Sequence, residues 1–328
     1  MEDKMNAIRI SHKCAAEDLV PEQVDRPKLK DGFVIINVKA FGVNESEVTS
    51  RKGESSPDFS YPRVLGIEGV GVIAAVNSDS PFKVGQKVAT MMGGLGREID
   101  GSYAEYTLAR EENVIPFESD LGWDVIGALP EMLQTSYGSL MQGLQLKEND
   151  VLLIHGGTST VGLMAAIVAR QLKAIVISTT RNPAKLHVLD EVDVDHPLLD
   201  DDQLHDNIRK VAPDGVDKVL ELVGFSALFE DMKLVKKGGM TCFTGALDEQ
   251  WTYDNFTPFL IPTGTYLTSY AGEATDLPGE VLQSILDKAA KKELTVPIAK
   301  VYHGLSEVGQ AQQNLESGKF SGKHVIVL

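Results

Sequence analysis

A chain of 328 residues with 43% apolar side chains is long enough for two domains, or one domain and a cap, and has the make-up of an ordinary globular enzyme. Its 47 acidic against 31 basic residues give a net charge of −16, which argues against nucleic-acid partners and against anionic membranes. Two cysteines, Cys14 and Cys242, exclude a disulfide framework and a cysteine zinc site.

Met1-Glu2-Asp3-Lys4 carries no signal-peptide pattern, and no apolar run reaches membrane-spanning length, so the expected location is the cytoplasm. Residues 1–121 read as short strands separated by turn signals, with strands over 33–39, 66–76, 83–89 and 102–108, the pattern of a compact β-barrel. The character changes near Leu121, where apolar residues take helical spacing over 124–129 and 133–143.

From Val151 the chain alternates strand and helix. Val151-Leu152-Leu153-Ile154 has the apolar continuity of a strand buried on both faces. A small-residue turn follows, Gly156-Gly157-Thr158-Ser159-Thr160-Val161-Gly162, then an alanine-rich helix over 161–172 and a second buried strand over 174–179. Strand, turn, helix and strand within about thirty residues form a dinucleotide-binding unit. Small residues are needed there because a pyrophosphate must approach the backbone and sit on the helix N-terminus. The match to G-x-G-x-x-G is loose, since alignment on Gly162 puts Gly157 first and Ser159 second. The flanking strand and helix therefore carry the assignment.

An NAD site would place an acid near the end of the second strand for the ribose 2′-hydroxyl. This sequence has Ser178-Thr179-Thr180-Arg181 instead, with Lys185 one helical turn on. A missing acid and a present base point to NADPH. Asp200-Asp201-Asp202 reads as a solvated loop and helix start. Strands over 217–223 and 240–246 flank a helix over 227–236 that Gly238-Gly239 should end. A strand over 265–271, a helix over 279–292, a further helix between an N-cap at Ser306 and a C′ glycine at Gly318, and a strand over 324–328 complete the chain. The alternation predicts an α/β fold whose parallel sheet carries helices on both faces.

Several pieces together resemble the medium-chain dehydrogenase/reductase superfamily, and within it the zinc-independent quinone oxidoreductase branch. They are Gly42-Val43-Asn44, 64–71 (VLGIEGVG), 82–88 (FKVGQKV), 101–106 (GSYAEY) and 155–162 (HGGTSTVG). The resemblance spans nearly the whole chain. It implies a GroES-like β-barrel domain at 1–121, a Rossmann doubly wound parallel sheet binding NADP at 122–267, and a segment at 268–328 that returns to the first domain. The active site would be the cleft between the two domains. The family's alcohol dehydrogenases hold a catalytic zinc; here Asn44 falls in the place of its first cysteine and Ile67 in that of its histidine, and the four-cysteine lobe is absent. Zinc needs N, S or carboxylate donors, so no metal is expected.

Asn44 and Arg51 match the turn that lies against nicotinamide and substrate in this branch, Glu47 falls where the branch has an acid, and Thr49 stands where it often has a tyrosine. Thr135 matches a threonine at the nicotinamide end. Val223, Gly224, Gly245 and Ala246 match strand-end positions that line the cofactor, completing a set with Gly157, Thr158, Ser159, Thr160, Val161, Gly162, Thr180, Arg181 and Lys185. Asp193-Val194-Asp195 departs from the family's Gly-Ala-Asp, a change of loop rather than of chemistry. The expected function is hydride transfer from NADPH to a quinone or α,β-unsaturated carbonyl, with Asn44 first and Thr49 second as hydrogen-bond donors to the substrate oxygen. An enoyl-thioester reductase of the same superfamily and a non-catalytic NADPH-binding protein stay open as alternatives. The expected partners are a small-molecule substrate and a second copy, in a homodimer joined through the edge strand at 265–271.

Overall fold

The computed structural model describes residues 3–55 and 59–328, so the first two residues of the N-terminal stretch considered above lie outside it. The chain divides into two compact units. One comprises the residues up to Glu131 together with Glu273–Leu328; the other is Met132–Gly272.

The first unit is organised on one long strand, Phe33–Val43, which pairs antiparallel with Glu68–Ala75, Tyr106–Arg110 and Lys323–Val327. Strands Ile298–His303, Lys87–Met91 and Val114–Pro116 extend this into a seven-stranded sheet. The long strand continues past the expected residue 39 because Ala40, Phe41 and Val43 are buried like Val34 and Ile36 before them. At Gly42 a side chain has no room, since a Cβ there would come within 2.7 Å of Lys323 Cε and collide with the Glu68 carboxylate. The strand expected at 102–108 begins only at Tyr106. The preceding residues are drawn off the ladder: the Tyr103 N–H donates to the Leu65 carbonyl at 2.9 Å, and the Tyr103 ring stacks on Phe41 with centroids 4.5 Å apart. Ser306 lies in a 3₁₀ turn, Leu305–Glu307, and not at the cap; the α-helix that follows is Val308–Glu316, with Gly318 left-handed at φ +61° just beyond it.

The second unit is a six-stranded parallel sheet in the order His196–Leu199, Ile175–Thr180, Val151–His155, Val216–Glu221, Val235–Phe243, Tyr266–Ser269. The central strands are the apolar runs seen in the sequence, with Leu152, Leu153, Ile154, Val176, Ile177, Val219 and Leu220 inaccessible to solvent. The helix expected over 227–236 is Phe225–Met232. Leu234 and Val235 are pulled into the core, and Val235 pairs with Val216, so the next strand starts there and runs through Gly238-Gly239 with an irregular register between Val216 and Lys218. The helix expected over 133–143 divides into the α-helix Pro130–Gly138 and a π-helical turn, Ser139–Gly143. Asp193 takes a left-handed φ of +56° where the resembling family has glycine, and Asp195 pins the loop by accepting the Val176 N–H and an Arg170 N–H, both at 2.8 Å. Among the described residues no helix is long and apolar enough to cross a membrane.

Candidate active site

In the second unit the expected cofactor residues gather at the carboxyl ends of the parallel strands, where open α/β sheets bind ligands. Ser159 caps the helix Thr160–Gln171: its hydroxyl accepts the Gly162 N–H at 3.1 Å and donates to the Gly156 carbonyl at 2.8 Å. A Cβ on Gly162 would lie 2.7 Å from the Gly156 oxygen, and one on Gly157 would lie 3.0 Å from the Thr179 oxygen while striking Ser178 Oγ. The turn thus lies flat on both the helix and the neighbouring strand, and the positive end of the helix dipole is left beside bare backbone. These features fit a dinucleotide pyrophosphate.

Thr158 and Thr180 hydroxyls meet across the turn at 3.3 Å. Arg181 is exposed directly after the second strand, and burial holds the Lys185 ammonium below the usual lysine value. Val223, Gly245 and Ala246 are half-buried, and Gly224 is buried at φ +127°. Thr135 sits on the helix Pro130–Gly138, with its hydroxyl 3.3 Å from Gln134 Oε1. That helix is tied to the sheet by Gln134 Nε2 donating to the Tyr270 hydroxyl at 2.6 Å and by the Ser139–Thr244 hydroxyl pair at 3.0 Å.

Under the glycine turn lies a buried ionic cluster that the sequence did not reveal. His155 Nδ1 is 2.7 Å from Asp231 Oδ2, and Nε2 is 3.1 Å from Asp200 Oδ2. Burial alone would neutralise this imidazole, but the two carboxylates outweigh it and lift its pKa to about 10, so both ring nitrogens carry protons and both donate. Asp200, expected to be solvated, is the outer anchor of this group. Glu221 Oε1 accepts the backbone N–H groups of Val223 and, at 3.3 Å, Gly224, fixing the turn after its strand. Burial, reinforced by the Asp231 charge, raises the Glu221 pKa to about 8.

In the first unit Asn44 is the N-cap of the helix Glu45–Lys52, where the long strand ends. Glu47 accepts the Asn44 N–H at 3.0 Å and the Ile67 N–H at 2.8 Å, stitching the helix start to the adjacent turn. Burial pushes the Glu47 pKa up to about 7. The Asn44 amide donates to Glu68 Oε1 at 2.9 Å, and its oxygen accepts from the Lys323 ammonium. Its second amide hydrogen has only a contact of 3.5 Å with Glu47 Oε1. Lys323 is buried and ion-paired with Glu68 at 2.8 Å and Glu131 at 2.7 Å. Those two carboxylates overcome the penalty of burial and hold the ammonium charged. Thr49 is half-buried, and its hydroxyl donates back to the Glu45 carbonyl at 2.9 Å. Arg51 is anchored by Gln312 Oε1, the Cys14 carbonyl and Glu316 Oε2 at 2.7, 2.9 and 2.6 Å. Lys323, Glu131, His155 and the three acids around it, Asp200, Glu221 and Asp231, are charged groups of the candidate site that sequence alone does not bring together; only the charge of Lys323 at the head of an apolar strand hints at a buried partner.

Two family descriptions match the chain: an alcohol dehydrogenase GroES-like domain over residues 30–119 and a zinc-binding dehydrogenase over residues 160–287. The quinone oxidoreductase of Homo sapiens is 28% identical, covering 99% of this chain and 98% of that protein. The synaptic vesicle membrane protein VAT-1 homolog of Danio rerio is 24% identical over 92% of this chain, which spans 65% of that protein's length. A mycobacterial protein whose structure was solved with NADPH superimposes with a TM-score of 0.83 at 23% identity, covering 99% of this chain and 100% of that one, a likeness of fold. The first unit is accordingly GroES-like and the second Rossmann-like.

One of the matched descriptions names zinc; at Asn44 and Ile67, in the other matched segment, where the family resemblance would put metal ligands, the side chains do not fit it. Ile67 has no donor atom, and the Asn44 oxygen is taken by Lys323. Among the described residues the one set of three His, Cys, Asp or Glu donors within 4.8 Å of one another is His155, Glu221 and Asp231. There both imidazole nitrogens already face carboxylates.

Proposed function

Because this chain belongs to the medium-chain dehydrogenase/reductase superfamily, in its quinone oxidoreductase-like branch, we propose that it is an NADPH-dependent reductase of quinones or α,β-unsaturated carbonyls that works without zinc, as a homodimer. The observation that carries this reading is the pair Asn44 and Lys323: where zinc relatives need a metal ligand, this chain has an amide locked to an internal ammonium.

The bound nicotinamide supplies the hydride. The turn at Gly157–Gly162 would hold the pyrophosphate at the helix N-terminus, and Arg181 with Lys185 would meet the 2′-phosphate. Thr135 on its helix and Val223, Gly224, Gly245 and Ala246 at the strand ends would hold the rest of the cofactor. Negative charge builds on the substrate oxygen as the hydride arrives, and a donor must meet it. Asn44 is that donor in this reading, through the amide hydrogen whose internal contact is the long one at 3.5 Å. Hydrogen bonding of its oxygen to the Lys323 ammonium polarises the amide and strengthens the N–H as a donor. Thr49 is the second candidate, once its hydroxyl turns from the Glu45 carbonyl.

The test is turnover on a panel of quinones, alkenals, enoyl thioesters and simple alcohols with NADP(H) and NAD(H). Quinone or alkenal reduction with NADPH is expected, unchanged by chelator. Asn44→Ala should cut kcat by about 10²-fold, the scale of losing one oxyanion donor, while NADPH binding by fluorescence changes little. Faster oxidation of propan-2-ol than reduction of any quinone would overturn the proposal.

A further inference from the structure

Among the buried side-chain oxygens of the second unit that lack a hydrogen-bond partner, Glu221 Oε2 and Asp231 Oδ1 are the two carboxylate atoms, the others being the hydroxyls of Ser178 and Thr241. Both acidic side chains are inaccessible to solvent. Both residues belong to the cluster beside the glycine turn, where one ligand-type atom from each of His155, Glu221 and Asp231 lies within 4.8 Å of the others. The other oxygens of the pair are accounted for: Asp231 Oδ2 takes one N–H of the His155 imidazolium, and Glu221 Oε1 takes the backbone N–H groups of Val223 and Gly224. Both nitrogens of His155 are committed, so the imidazole cannot serve the orphan atoms. An unsatisfied buried acceptor is strongly unfavourable, and two neighbouring carboxylates in one buried site resist ionising together, the Asp231 charge holding the Glu221 proton on. One proton between them satisfies both atoms.

We propose that Glu221 and Asp231 share a single proton, and that this protonated pair positions the Val223–Gly224 turn and keeps it low in negative charge for the dinucleotide. The proposal rests on the reading above that this turn lines the NADPH site. With the proton in place, the charges are the His155 cation and the Asp200 and Asp231 anions. Without it, a second uncompensated anion appears beneath the turn that receives a pyrophosphate.

The elements packed around the pair carry the other charged groups of the cluster. The neighbouring strand Val151–His155 brings His155 against Glu221, and the helix Phe225–Met232 brings Asp231. On the opposite side the strand Val235–Phe243 places Phe243 in register with Glu221, and the Thr244 N–H donates to the Glu221 carbonyl at 3.0 Å. Asp200 lies beyond His155, with Arg181 and His205 as its other charged neighbours. Asp248 braces the outer side of the same turn, accepting the Ser226 N–H at 3.0 Å. The Glu221 pKa near 8 places loss of the proton just above neutral pH.

The experiment measures the Kd of NADPH by fluorescence from pH 6.5 to 9.5 in wild type, Glu221→Gln and Glu221→Ala. Glutamine copies the protonated acid: its NH₂ donates toward Asp231 and its oxygen accepts the two backbone N–H groups. Wild-type Kd should rise at least fivefold between pH 7 and 9. Glu221→Gln should match wild type at pH 7 within about twofold and stay flat, whereas Glu221→Ala should bind more weakly at every pH. In parallel, ¹³C carboxyl shifts of glutamate-labelled, cofactor-free wild type should include a titration near pH 8 that glutamine removes. A glutamine variant with the wild-type pH slope overturns the proposal. So does labelled wild type with no glutamate titrating above pH 7.5, a result that needs no variant to fold. Stoichiometric divalent metal in the purified protein, released by chelator with loss of NADPH affinity, would also overturn it, since a cation would then satisfy the two oxygens. If NADPH fails to bind at any pH, the functional reading fails, while the carboxyl titration still decides whether the proton is shared.

Discussion

Arg181 stands exposed at the end of the second parallel strand, at the place where an NAD site would carry an acid. Its charge also reaches Asp200, whose carboxyl is held below the usual range first by His155 and also by Arg181. His155 is the direct partner of Asp200, at 3.1 Å. Loss of one charge-assisted contact is worth about 1.5–3 kcal/mol. Arg181→Ala should therefore raise the KM for NADPH by roughly 10- to 100-fold and leave that for NADH nearly unchanged. Steady-state kinetics with both cofactors checks this, and an equal loss with each would sink the assignment. This residue was legible in the sequence because its meaning depends on distance from one strand and one turn. Lys323 was not, because its partner Glu131 lies 192 residues away and no spacing rule connects them.

At the scale of elements, the strand Val151–His155, the glycine turn and the helix Thr160–Gln171 could be read from sequence because each signal is local: apolar continuity, small residues and a serine cap. The helix ending at Met232 could not. Lys236-Lys237-Gly238-Gly239 has the look of a helix terminus, but burial of Leu234 and Val235 recruits that stretch into a strand. Tertiary packing overrides a local stop signal there. The cluster at His155 was hidden for the same reason as Lys323, since its contacts span 45 and 76 residues. The seam between turn and helix gives a prediction. Gly162→Ala would place a methyl 2.7 Å from the Gly156 carbonyl and 2.8 Å from Gly157 Cα, both backbone atoms that cannot turn aside. Overpacking of this kind typically costs about 1–3 kcal/mol. Urea unfolding should show that loss, together with weaker NADPH binding; an unchanged midpoint would mean the helix can slide away freely.

At the scale of the whole molecule, several described buried groups hold their protons more tightly folded than unfolded, and three of them titrate between pH 6 and 10: Glu47 at about 7 and Glu221 at about 8 against an ordinary 4.5, and His155 at about 10 against 6.5. Each contributes stability that is complete below its unfolded value and lost as pH climbs through its folded one. The melting temperature of the cofactor-free protein should accordingly fall from pH 6 to pH 10, and Glu47→Gln and Glu221→Gln should each flatten part of that fall. A melting temperature that rises over this range would contradict the buried, protonated assignments. The strand Tyr266–Ser269 is the edge of the parallel sheet and Tyr266 is exposed on it, so a partner copy is expected to cover this edge. Sedimentation at micromolar concentration should show a dimer, and a monomer would refute it. The ion pair of Lys323 with Glu68 and Glu131 also has a consequence in time. At ribosomal rates of about 5–20 residues per second, the 192 residues between Glu131 and Lys323 take roughly 10–40 seconds to emerge. Through that interval the nascent barrel holds its carboxylates with no counter-ion and must keep them wet. Stalled chains that stop short of Lys323 should stay open to protease in the barrel, and closure should come with the arrival of a single amino group.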